Sequence, residues 1–256
     1  MASRKSILRL SFAESSKITP KMESIPLYVH IIFVLTTFFS VFVFYKAAHH
    51  SKLFLFVTLL WLALNAALAL SGFYEVTRDT PPRFALCVMP PVIFVLSLFF
   101  SPAGRRHLNR FDLRYLTLLH IVRIPVEIVL YWLFLSKAVP ELMTFSGTNP
   151  DIFSGLSAPL VYYFGFARKR LNSKIMLIWN IVCLGFLINI VGHAIFAAPF
   201  PFQQLAFEQP NIAVLHFPFV WLPCCIVPLV FLSHLASIKQ LIVDMRVREE
   251  RLKIPL

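Results

Sequence analysis

Three ionisable residues lie close together in one apolar run. They are His120, Arg123 and Glu127, within Leu113–Leu135 (LRYLTLLHIVRIPVEIVLYWLFL). His120 precedes Arg123 by three positions, and Arg123 precedes Glu127 by four. On a helix that spacing puts all three on one face. Arg123 and Glu127 are placed to pair within the helix, which lowers the cost of burying both charges. Pro125 lies between them and has no N–H, so the carbonyl of Ile121 is left as a free acceptor. A cation, a carboxylate, an imidazole and an unbonded carbonyl suit the binding or transport of a small polar or anionic ligand, or of a proton. Arg123 would meet an anionic group, Glu127 would respond to protons, and His120 would relay them. The same stripe also has a purely structural reading, as an ion pair that only locks helices together.

Other polar residues sit in apolar runs and could line such a site. Asn180 and Asn189 are the main candidates, with Asn65 and His193 beside them. A lone Asn in an apolar helix often makes one interhelical hydrogen bond and nothing more. The histidines offer a second pattern. Counting positions along alternating helices puts His30, His193 and His216 at one depth, near one end of their runs. Three imidazoles at one depth are a potential metal site. His120 and His234 lie toward the opposite end, where a pair of imidazoles could ligate haem. Depth does not fix where rings point, so no resident cofactor is expected; haem or metal at these histidines would define a second function class, a membrane-embedded redox protein. Cys87, Cys183, Cys224 and Cys225 all fall in apolar runs with no CxxC spacing, and read as packing residues. The chain has no HExxH, P-loop, GxSxG or Gly-rich dinucleotide fingerprint. Enzymatic activity is therefore not indicated.

These residues need a scaffold that holds them away from water. The chain is 58% hydrophobic and 14% charged, with 27 Phe, far more apolar than a soluble domain. Ionisable side chains at the centre of a bilayer cost at least about 2.5–3.5 kcal/mol, so they are expected to face the interior of a bundle. The expected fold is all-α: a polytopic integral membrane bundle of about seven transmembrane helices over residues 22–238. The expected spans are Pro26–Ala47, Lys52–Phe73, Phe84–Pro102, Leu113–Leu135, Asp151–Ala167, Lys174–Phe196 and Ile212–Ile238. Pro90 and Pro91 disturb the third. The fifth is short and carries Gly155 and Pro159.

Residues 1–21 read as a basic, Ser-rich segment, either a targeting sequence, a flexible tail or a stretch before a later start at Met22. Residues 239–256 read as a basic tail able to form a short surface helix. The net charge of +12 matters less than its placement. Lys46 and Lys52, Arg105 to Arg114, Arg168 to Lys174, and the tail all fall on one side of the expected bundle. Only Arg78, Arg83 and Lys137 fall on the other. The basic side, with the C-terminus, is expected in the cytoplasm, the membrane being the plasma or an inner membrane. The expected partners are the lipid bilayer and a small polar or anionic ligand, and no nucleic acid. A third function class, a sensor or assembly protein, would use the Pro-rich loop Ala197–Asn211 and the tail as contact surfaces.

Overall fold

The computed structural model describes residues 22–253. The basic segment 1–21 and the last three residues lie outside the described residues. The fold is all-helical, with no strand among the described residues. The helices are α1 (Leu27–Ala47), α2 (Lys52–Leu70), α3 (Ala85–Phe100), α4 (Pro102–Leu108), α5 (Leu113–Leu119), α6 (Arg123–Leu135), α7 (Ile152–Tyr162), α8 (Ser173–Phe196) and α9 (Val227–Lys253).

Local sequence explains where they start and stop. Ser51 caps α2 by accepting from the Phe54 amide, and Asn172 caps α8 by accepting from the Ile175 amide. After α2 the chain turns through Gly72 at φ 73°, a left-handed conformation that suits glycine. Ser101 ends α3 and caps α4, and the two helices meet at 96°.

Among the described residues five helical stretches are long and apolar enough to cross a membrane: Leu27–Ala47, Lys52–Leu70, Leu113–Leu135, Ser173–Phe196 and Leu222–Arg251. The bent pair α3–α4 would make a sixth, and Ile152–Ala167 is a shorter apolar helix. By length and composition the expected seven thus stand at five or six. The last span also differs in position. Residues 212–221, with Pro218 among them, form a short 3-10 turn and irregular chain, and the helix begins only at Leu222. It then continues to Lys253, so the basic segment extends this helix rather than forming a separate one.

Hydrogen bonds identify what meets at each end. At one end Asp112 N–H donates to the Ala47 carbonyl, Lys239 Nζ to Arg105, and Gln240 Nε2 to Leu108 and Phe111. Ser173 Oγ donates to Asp244 at the same end. The segments richest in Lys and Arg therefore share one end of the bundle. At the other end the amides of Ile212 and Ala213 donate to Ala138, and Gln209 donates to Phe134 and Val139. The interior is packed with residues such as Phe33, Phe44, Leu116, Leu133 and Phe219. Outer faces expose large apolar side chains, including Leu35, Phe56, Ile93 and Ile178. An exterior of that kind is compatible with insertion into a membrane. All four cysteines are buried thiols.

Candidate functional site

Pro125 shapes the site first. With no amide hydrogen at that position, the helix cannot bond the Ile121 carbonyl in the ordinary way. The stretch tightens into a 3-10 turn at His120–Val122 between α5 and α6. Arg123 follows it directly and enters the centre of the bundle, 3% exposed.

Arg123 does not pair with Glu127 as the spacing suggested. Its Nη1 donates to Asp151 Oδ1 at 2.6 Å and to the Cys183 carbonyl at 3.2 Å. Its Nη2 donates to His234 Nε2 at 2.9 Å. Asp151 comes from the start of α7, Cys183 from α8 and His234 from α9. One guanidinium therefore ties four segments together. An intrahelical pair loses to this arrangement because the fork of Arg123 satisfies three acceptors at once, each on a different neighbour.

The rest of the network follows from donors and acceptors. An arginine has only donors, so His234 Nε2 must present a lone pair and Nδ1 carries the hydrogen. That hydrogen goes to Asn180 Oδ1 at 3.0 Å, and Asn180 Nδ2 donates to the Met176 carbonyl. His120 stacks on His234, with ring centroids 3.9 Å apart and planes 15° from parallel. The indole of Trp179 packs edge-on against His120. Neither ring nitrogen of His120 has a hydrogen-bond partner among the described residues.

Glu127 belongs to a second branch. Asn149 Nδ2 donates to Glu127 Oε1 at 2.6 Å and to the Met143 carbonyl. Asn149 Oδ1 accepts the Asp151 amide at 3.0 Å, which orients the Asn149 side chain. The loop presenting Asn149 passes very close to itself at Gly147. A Cβ there would lie 2.3 Å from the Glu141 carbonyl oxygen, so only glycine fits. Gly155 in α7 is tight but less absolute, since a Cβ would lie 2.8 Å from the Ile124 side-chain carbon Cγ1 and 3.0 Å from its amide nitrogen. Close approach of α7 at this point brings Asp151 within reach of Arg123. Glu127 is 1% exposed, and its second oxygen, Oε2, is buried with no hydrogen-bond partner among the described residues.

A cavity of about 300 Å³ adjoins the network. Val88 and Val92 of α3, Val191 and Ala194 of α8, and Val227 and Phe231 of α9 form apolar walls. Arg123, Glu127, Asp151 and Asn211 also line it.

The structure thus brings His120, Arg123 and Asn180 into one network and places Glu127 beside it on the Asn149 branch. Asn189 stands apart, exposed, with Nδ2 donating to the Thr148 carbonyl at 3.3 Å. His30, His193 and His216 are held separately. His30 packs on Phe219, and His216 Nδ1 lies 3.3 Å from Glu75. Among the described residues no three His, Cys, Asp or Glu side chains group as a metal site. The stacked rings of His120 and His234 do not fit a shared iron. Such an iron would sit about 2 Å from a nitrogen of each ring and force the two rings apart. Sequence reasoning missed Asp151, Asn149 and the Arg123–His234 contact. The available signal was an Asn-Pro-Asp sequence directly preceding an apolar run, in a chain with few carboxylates to answer a buried arginine.

Residues 81–242, which contain every member of this network, match the model of a family described as Domain of unknown function (DUF8737). No curated protein and no solved structure matches the chain.

Proposed function

We propose that this chain, which belongs to the family described as Domain of unknown function (DUF8737), is a multi-pass membrane protein that binds a small molecule inside its helical bundle. The carrying observation is the cavity of about 300 Å³, apolar over most of its wall, with Arg123, Glu127, Asp151 and Asn211 among its lining residues. Small-molecule sites are mostly apolar hollows with a few convergent polar groups, and this cavity has that composition. Arg123 acts here as the tie that builds the site. Its Nη1 and Nη2 atoms are already bonded, so Glu127 is the group that meets the ligand.

In this reading the chain crosses the bilayer seven times, with α3 and the α7 helix as short crossings that leave room for the cavity. The shared basic end and the C-terminus are cytoplasmic, in a plasma or inner membrane, as the distribution of Lys and Arg favours. Transport is a second reading, favoured by weakened helical bonding near the cavity. Pro90 and Pro91 lie inside α3 and remove two of its backbone donors, and a wide π turn occupies Leu222–Ile226.

The test is a thermal-shift screen of the purified protein in mild detergent, run beside an Ala194→Phe variant that fills the cavity. Binding at this site raises the melting temperature of the wild type and leaves the variant unmoved. Ligands that shift both proteins equally would place binding elsewhere and overturn the reading.

A further inference from the structure

The shape of the cavity narrows its occupant, resting on the reading above that it is a ligand site in a membrane bundle. Its lining runs from Ala85 to Val92 along α3 and from Leu187 to Ile195 along α8. At about 1.5 Å per residue those stretches are about 10–12 Å long, whereas a compact space of 300 Å³ would be about 7 Å across. The space is therefore a slot that follows the helices. One end is aromatic: Phe84 stacks on Phe200, and Phe200 packs on Phe202, with ring centroids 5.7 and 5.5 Å apart. The other end reaches Arg123 at the centre of the bundle. The charged and amide residues of the lining are at most 5% exposed, so almost the whole accessible wall is carbon.

The slot also opens sideways. Pro223, Val227 and Phe231 line it at four-residue intervals and are half-buried, while every residue between them is buried. One stripe of this otherwise enclosed segment is left uncovered and forms the floor. At the edge, Ile195 lines the slot and is 47% exposed, on the same face of α8 as the exposed Ile188. That face belongs to the apolar exterior, which in a bilayer meets hydrocarbon.

We infer that the slot holds a linear hydrocarbon chain, drawn from the bilayer through the opening beside Ile195. An empty apolar slot forfeits the dispersion contacts that its lining atoms would otherwise make. A chain already dissolved in hydrocarbon restores them without desolvation, since lipid tails are as apolar as the wall. A water-soluble polar molecule would lose its hydration against a wall that returns few hydrogen bonds. The chain lies along the floor formed by Val227 and Phe231, between α3 and α8. It belongs either to a bilayer lipid or to a free membrane-dissolved lipophile, and the two are separable by experiment.

The experiment is photolabelling of the full chain in phosphatidylcholine nanodiscs, with the adducts mapped by mass spectrometry. One sample carries a phosphatidylcholine with a diazirine on an acyl chain, and the other a free fatty alcohol with a diazirine on its chain. In the wild type, Val227 and Phe231 are labelled alongside the outward-facing Phe56 and Leu60 of α2. Ala194→Phe fills the slot from α8 and Val227→Trp fills it from α9. Each removes the label from Phe231 and keeps it on α2, which also reports that the variant is folded into the disc. Floor labelling by the phospholipid supports the inference with an acyl chain as occupant, and floor labelling by the alcohol alone supports it with a free lipophile. Labelling confined to α2 in the wild type, or a Phe231 label that survives both substitutions, would overturn the inference. The small-molecule reading would then still stand if a water-soluble compound raises the melting temperature of the wild type and not of Ala194→Phe, so the two fail separately.

Discussion

Arg123 and Asp151 lie 28 positions apart and meet at 2.6 Å in the centre of the bundle, with side chains 3% and 7% exposed. Asp151 begins a different helix, so the pair fixes α7 against α6. Removing one partner of a buried ion pair leaves the other charge uncompensated, at about 3–5 kcal/mol. Asp151→Asn is expected to unfold at markedly lower temperature. The double variant Arg123→Met/Asp151→Leu is expected to recover part of that loss. Thermal unfolding of the three proteins, followed by circular dichroism in one detergent, checks it.

The two stacked histidines are expected to behave oppositely. His120 makes no hydrogen bond through either nitrogen, so His120→Phe keeps the stack and sacrifices nothing polar. Its stability should stay within about 1 kcal/mol of the wild type, since replacing an unsatisfied buried polar group by an apolar one is close to neutral. His234→Phe removes the acceptor of Arg123 Nη2 and the donor to Asn180, and should cost about 1–3 kcal/mol. Denaturation of the two variants side by side decides the matter. A large loss in His120→Phe would mean that its nitrogens are bonded.

At Gly155 α7 packs against Ile124 and Arg123 with no room for a Cβ. Gly155→Ala puts a methyl group against backbone and side chain together, and overpacking of that kind costs about 1–3 kcal/mol. The same methyl group pushes Asp151 away from Arg123. The variant should therefore lose stability, and combining it with Asp151→Asn should add less than the sum of the two separate losses. A double-mutant cycle on melting temperature measures the shortfall.

Asp112 gives a pH dependence at the basic end of the bundle. Hydrogen bonding from Arg114 holds its carboxyl below the ordinary range, against partial burial, which pushes it up. A carboxylate whose folded-state value is depressed adds stability above its unfolded value, and that contribution fades as pH falls through the folded value. The window therefore opens below about pH 3.9. Asp112→Asn keeps a capping oxygen for the Arg114 amide and removes only the charge. The gap in melting temperature between wild type and Asp112→Asn should be constant near neutral pH and shrink in that acid window.

Much of this arrangement was legible in the chain, and the limits have physical causes. The spacing of His120, Arg123 and Glu127 located the centre of the site, because buried charges in an apolar helix must meet something. It did not say what they meet. The i, i+4 rule favours Arg123 with Glu127, yet Asp151 sits nearer the guanidinium because Gly155 lets α7 approach. Tertiary contact overrode local spacing. Asp151 itself looked like the polar start of a short helix. His120 and His234 were placed toward the same end by counting residues, but only packing determines that their rings stack. The last helix was expected from Ile212. Its late start follows from Pro218 and the irregular chain before Leu222, where hydrophobicity continues but the backbone bonds form isolated turns, such as Leu215 to Ile212 and Val220 to His216, instead of a continuous helical ladder.

The central claim is that Arg123–Asp151 builds the site and Glu127 serves its ligand. The most direct test compares melting temperatures of wild type, Glu127→Gln and Asp151→Asn in nanodiscs, with and without a ligand identified in the thermal-shift screen. The account predicts that Glu127→Gln melts close to the wild type yet loses the ligand-induced shift, while Asp151→Asn melts far lower. A Glu127→Gln protein that is as unstable as Asp151→Asn, or that keeps the full shift, would contradict it.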